Sequence, residues 1–151
     1  MTTMNHAQLI SNLLFEYAEY IDDGKLELAA SLFEHAQIKI SNEPVMIGHE
    51  ALLALWKKIL IIYPCGTPKT KHVVTNPIID INESGTHARV KSYFNVFQPD
   101  QNQNIRLILS GRYHDEFSFE NKKWVWSQRD YTHIDFSGDL SLHLKNFQLR
   151  H

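Results

Sequence analysis

The apolar pattern of this chain changes period once, and that change restricts the fold more than any single residue does. Up to residue 63, a brief strand near residue 38 apart, the apolar side chains recur at helical spacing; from residue 72 they alternate as on a strand. Ile10, Leu13, Leu14, Tyr17, Ala18 and Ile21 form one helical stripe, and Gly24 is a natural stop for it. A short second helix carries Leu26, Leu28, Ala29, Leu32 and Phe33, and a brief strand follows around Ile38. Gly48 precedes a third helix with Leu52, Leu55, Trp56, Ile59, Leu60 and Tyr63 on its inner face, closed by Pro64 and Gly66. Strands are expected over 72–81, 88–98, 105–119 and 124–136, separated by clusters of Asn, Gly, Asp and Pro. Helices followed by strands, without βαβ alternation, define an α+β class. The length of 151 residues fits a single domain, 1–151, with a tail from 137 in which 139–149 read as a last short helix.

The strand over 105–119 shows where polar residues must be buried. Its odd positions include Gly111, Tyr113, Asp115, Phe117 and Phe119, and its even positions include Arg106, Ser110, Arg112, His114 and Glu116. Period two therefore turns Asp115 inward among aromatics, where a carboxylate must be paired or change its pKa. If Phe119 pairs with Trp124, Asp115 faces Gln128; a one-residue change of register sets it against Arg129. An Asp115–Arg129 ion pair inside the sheet is the structural reading of both residues.

Asp22 lies on the Leu14, Ala18, Asp22 ridge at the edge of the buried stripe, in the last turn of its helix. The helix dipole opposes a negative charge there, which suits a carboxylate used in acid–base work; capping of the next helix by Asp22 or Asp23 is the alternative. His72 and Asn76 stand four apart on the first long strand, and an inward His72 is the best candidate for moving a proton near neutral pH. Asn76 precedes Pro77, so it also suits a strand bend. Tyr17, Trp56, Tyr93 and Tyr113 are candidate pocket walls with hydroxyl or indole donors. Strict alternation puts Tyr93 with Arg89 and Lys91 on the polar face, and only a bulge would bring it inward.

Other functions find little support. The net charge is −2 and no run of Lys or Arg tracks a phosphate backbone, so nucleic acid is not an expected partner. The longest apolar run, Ile59 to Tyr63, is too short to span a bilayer. The first residues lack signal-peptide character, which leaves a cytoplasmic location as the expectation. Cys65 is the only cysteine and sits in a Pro-Cys-Gly turn; the nine histidines are scattered, without His-x-His or His-Glu-x-x-His spacing. Neither a metal nor a nucleotide cofactor is expected, since Gly-rich phosphate loops and dinucleotide fingerprints are missing.

Tyr17-Ala18-Glu19-Tyr20-Ile21-Asp22-Asp23-Gly24 with Leu32-Phe33 resembles the opening of SnoaL-like domains in the nuclear transport factor 2-like superfamily. Gly48 to Leu52, His72 to Pro77, Gly111 to Asp115 and Trp124 to Arg129 are similar to that family's later motifs, over roughly residues 6 to 136. The resemblance implies a cone: a strongly curved antiparallel sheet against three N-terminal helices, enclosing one pocket, assembled as homodimers or sometimes trimers. Among catalytic members, scytalone dehydratase would place its helix-one aspartate at Asp22 and one histidine at His72. Its second histidine has no counterpart in Val90-Lys91-Ser92-Tyr93-Phe94. The implied function is a cofactor-independent lyase or isomerase for a small apolar or cyclic carbonyl or hydroxy compound. In it His72 moves the proton, Asp22 orients or charge-stabilises it, and Tyr17, Tyr93 or Tyr113 polarises an oxygen. The alternative is a ligand-binding or accessory subunit without turnover, such as a dioxygenase small subunit.

Overall fold

The computed structural model describes residues 3–42 and 44–145. The elements run α1 (His6–Asp22), α2 (Leu26–Ser31), β1 (Gln37–Lys39), β2 (Met46–Ile47), α3 (His49–Ile59), β3 (Lys71–Ile81), β4 (His87–Pro99), β5 (Ile105–Glu120) and β6 (Lys123–Ser137). The helices precede the long strands, as the change of period requires. One six-stranded sheet has the order β2-β1-β6-β5-β4-β3 and is open, with β2 and β3 at its edges. All its pairings are antiparallel except β1 with β6.

Asn5 begins α1 by accepting the Gln8 N–H at 3.0 Å. Its apolar stripe buries Ile10, Leu14, Tyr17, Ala18 and Ile21 against the sheet. Gly24 ends it with φ +74°, the Lys25 N–H bonding the Tyr20 carbonyl and the Gly24 N–H the Ile21 carbonyl. That pair of bonds is a Schellman cap. A Cβ at Gly24 would collide with the Gly66 carbonyl oxygen, so the helix end is set tightly against the Pro64–Gly66 turn.

The third helix is shorter than its pattern implies. It stops at Ile59, and Leu60 turns extended to form a bridge with Leu144, while the Ile61 N–H bonds the His143 carbonyl at 2.9 Å. Pairing with the C-terminal segment thus overrides the helical spacing, aided by the poor helix propensity of the Ile59–Ile62 run. The helix expected over 139–149 does not form in its described part. Residues 141–143 are turn, leading to the bridge at Leu144, and 146–149 lie outside the described residues.

The sheet is bent by register shifts in every long pairing: between Thr75 and Ile78, Val96 and Phe97, Ser110 and Gly111, Arg112 and His114, and Glu116 and Phe117. They also correct the strict alternation. Along β5 the odd residues from Gly111 to Phe117 are buried, but beyond the bulge at Ile108 the phase reverses, burying Ile108 and exposing Ile105 and Leu107. On β6, Phe119 pairs with Trp124 and Phe117 with Trp126, after which Ser127 is the extra residue and Asp115 meets Arg129.

The Asp115–Arg129 pair is wholly buried and bidentate: Nε donates to Oδ1 at 2.7 Å and a terminal nitrogen to Oδ2 at 3.0 Å. Trp126 Nε1 adds a third donor at 3.0 Å. Losing one partner strands the other as an uncompensated buried charge. Arg129→Met is therefore expected to lower the unfolding free energy by about 3–5 kcal/mol in denaturant titration. Adding Asp115→Leu should recover part of that loss; strictly additive losses would refute the coupling. Gly24→Ala, strained and clashing, is expected to cost about 2 kcal/mol or more. Gly66→Ala, also at positive φ but in open space, should cost only about 1 kcal/mol.

Candidate functional site

The end of α1 and the start of β3 build the first half of the site. Asp22 accepts three hydrogen bonds from the segment opposite: the Thr70 hydroxyl at 2.9 Å, the His72 main-chain N–H at 2.7 Å and His72 Nδ1 at 2.6 Å. Neither Asp22 nor Asp23 caps α2, whose N-cap is Lys25 without a side-chain bond; Asp23 sits 3.7 Å from Lys25 in solvent. Both carboxylate oxygens of Asp22 are thus committed to β3. The His72 side chain is only 8% exposed. With Nδ1 held by the carboxylate, the ring's tautomer and orientation are set, and Nε2 is the nitrogen left to exchange a proton.

The floor is aromatic. Tyr17 from α1 and Tyr131 from β6 share a hydrogen bond between hydroxyls at 2.9 Å. Tyr113 from β5 stacks on Phe94 of β4 with centroids 4.3 Å apart. Beneath these rings lies the Arg129 guanidinium, 3.8 Å from the Tyr113 centroid and 4.4 Å from that of Tyr17. Burial, reinforced at Tyr17 by the neighbouring Tyr113, raises the pKa of all three hydroxyls above the ordinary tyrosine value. They stay protonated and remain hydrogen-bond donors.

The third component comes from beyond the last strand. His143 packs beside His72 with ring centroids 6.4 Å apart. Main-chain bonds to Ile61 and from Lys145 to Ile59 hold its segment, and Tyr63 and Gln98 both donate to the Leu142 carbonyl. The His143 ring is buried, and its Nδ1 has no partner among the described residues. Burial, and then the neighbouring His72, push its pKa down to about 4, so it is neutral near pH 7.

These groups line one cavity of about 140 Å³, whose other walls are apolar side chains including Ile21, Leu55, Trp56, Phe94 and Leu109. Tyr17, Trp56, His72 and Tyr113 therefore face it, and Asp22 stands behind His72. Asp115 and Arg129 lie below the floor. Asn76 and Tyr93 are not brought here. Asn76 is exposed at the Thr75–Ile78 bulge with φ +56°, which breaks the phase it would share with His72. Tyr93 is 49% exposed on the outer face, beneath Arg112, because β4 keeps strict alternation around it. Tyr131 and His143 were not singled out from the sequence. Tyr131 had a signal, since it stands two residues after Arg129 on one strand; His143 had none, since its place depends on the pairing with Leu60. Among the described residues no three of His, Cys, Asp and Glu converge as metal ligands.

Solved structures with the same architecture share little sequence. A protein from Novosphingobium aromaticivorans, provisionally named a scytalone dehydratase, is 20% identical with a TM-score of 0.67, covering 95% of this chain and 89% of its own. The beta subunit of a protein provisionally named an aromatic-ring-hydroxylating dioxygenase, from the same organism, is 17% identical with a TM-score of 0.66, covering 90% and 94%. A further protein of that organism, described as nuclear transport factor 2-like with a cystatin-like fold, is 16% identical with a TM-score of 0.68, covering 82% and 79%. These likenesses concern the fold. No curated protein sequence matches the chain. The family model for the SnoaL-like domain matches residues 3–130, and the chain belongs to the SnoaL-like domain family.

Proposed function

We propose that the chain is a cofactor-independent lyase or isomerase acting on a small apolar or cyclic carbonyl or hydroxy compound. The observation that carries this reading is the Asp22–His72 pair: a carboxylate committed to one nitrogen of an imidazole whose ring faces a mostly apolar cavity. Such an imidazole takes and returns a proton in a fixed direction, a contribution of about 10²–10⁴ in rate. A tyrosine hydroxyl from the floor donates to the substrate oxygen as negative charge grows there, and the apolar walls strengthen that bond by excluding water. His72→Ala is expected to lower turnover of cyclic β-hydroxyketones or enones, followed by ultraviolet absorbance, by about 10²-fold or more with the melting temperature little changed. Full activity in that variant would reject the assignment. Asp22→Asn should reduce turnover less, since the amide oxygen can still accept from the ring.

A ligand-binding or accessory subunit without turnover is the second reading. It is favoured by the outer sheet face, where Val73, Tyr93, Leu107 and Phe136 are exposed beside Lys91, Asn95 and Phe97. One structural neighbour is itself named a dioxygenase beta subunit. Under either reading this face joins two copies of the chain, since a homodimer covers those side chains at once. Light scattering after size exclusion is expected to give a dimer, and Tyr93→Glu with Phe136→Glu a folded monomer; an unchanged dimer would place the contact elsewhere.

A further inference from the structure

The cavity limits its occupant by size, by charge and by hydrogen-bonding inventory, and the three limits converge. We propose that the site takes an uncharged compound of a single ring bearing a hydroxyl, its oxygen held between a floor tyrosine and the imidazole of His143. The assignment rests on the reading of this cavity as the working site, and it concerns binding rather than turnover.

Size comes first. About 140 Å³ is the room available. An apolar cavity of about 150 Å³ accepts benzene, so one ring fills this site and a fused second ring would have to project from it. Charge comes next. Both oxygens of Asp22 are occupied by Thr70 and His72, and the Arg129 and Asp115 charges neutralise each other beneath the floor. A carboxylate or ammonium entering the cavity would leave its hydration without gaining a free counter-charge.

Hydrogen bonding then selects the substituent. The Tyr17–Tyr131 bond uses one of two hydroxyl protons and leaves the other to give. His143 brings the complementary need, because its buried ring lines the cavity, its Nδ1 has no partner among the described residues and burial keeps it neutral down to about pH 4. A neutral imidazole has one nitrogen able to accept. A hydroxyl on an unsaturated ring satisfies both neighbours, accepting from the tyrosine and donating to the histidine. A carbonyl satisfies only the first, and a methyl group neither. Leaving the buried imidazole unpaired is what a ligand lacking the donor would cost.

The test is calorimetric titration of the full chain at pH 7 with phenol, toluene, benzoate and 2-naphthol. Phenol is expected to bind best, with toluene about a hundredfold weaker, the worth of about two hydrogen bonds, and with benzoate and 2-naphthol also well below phenol. His143→Leu, checked for an unchanged melting temperature, should weaken phenol about tenfold, leaving it still tighter than toluene, and should not weaken toluene. Binding of 2-naphthol as tight as phenol would overturn the single-ring limit, and equal binding of benzoate would overturn neutrality. Phenol affinity unchanged in His143→Leu would remove that residue from the assignment. Phenol binding without turnover of any cyclic ketone leaves this assignment standing and removes the catalytic one; turnover without phenol binding does the reverse.

Discussion

The buried contact between Asp115 and Arg129 is the constraint on which the rest of the sheet depends. Each charge alone would lose several kcal/mol of hydration at that depth. Only a close, bidentate pairing with further donors offsets the loss, and the third donor, Trp126, is provided by the same strand as Arg129. Apolar residues tolerate a slipped register far better than a charge pair does, so the pair selects one alignment of β5 with β6. That alignment needs Ser127 as an extra residue, and the resulting bulge adds to the bend of the sheet. The pair also determines the pocket floor: Tyr113 and Tyr131 each lie two residues from a member of it, and their rings close over the guanidinium.

A second polar contact ties the helical layer to the sheet. Asp22 receives a main-chain N–H, a hydroxyl and an imidazole from the first residues around β3, so the end of α1 cannot slide without breaking all three. The Schellman cap at Gly24 and its close approach to Gly66 hold the helix end from the other side. His72 is thereby oriented from behind by a rigid carboxylate, while its cavity-facing side meets apolar walls. The C-terminal segment completes the enclosure by adding a short pairing at Leu60 and carrying His143 inward.

Much of this was legible before any coordinates. The change of period separated helices from strands, Gly24 marked the end of α1, and the inward Asp115 required a partner, with Arg129 one register step away. Tyr17 and Trp56 are readable as inward residues from the helical spacing of their apolar neighbours, and His72 and Tyr113 from strand alternation. Asn76 and Tyr93 do not reach the cavity: a bulge takes Asn76 out of phase with His72, and β4 keeps the strict alternation that turns Tyr93 outward. Bulges are set by neighbouring strands as much as by the residues that form them, so the local pattern is silent about them. The length of α3 departs from its pattern for the same kind of reason. Its apolar spacing continues past Ile59, but pairing with Leu144 takes the backbone away.

What the sequence by itself determined was the order of the helices and the long strands, and the need of an inward Asp115 for a partner. Those follow from periodicity and from the high cost of burying a charge unpaired, and both are local properties of the chain. Tertiary structure alone decided that the cavity holds a second imidazole. His143 lies 71 positions after His72, and it reaches the cavity only because Leu60 leaves the helix to pair with Leu144. No local pattern encodes a contact between two segments that meet only when the sheet has already curved.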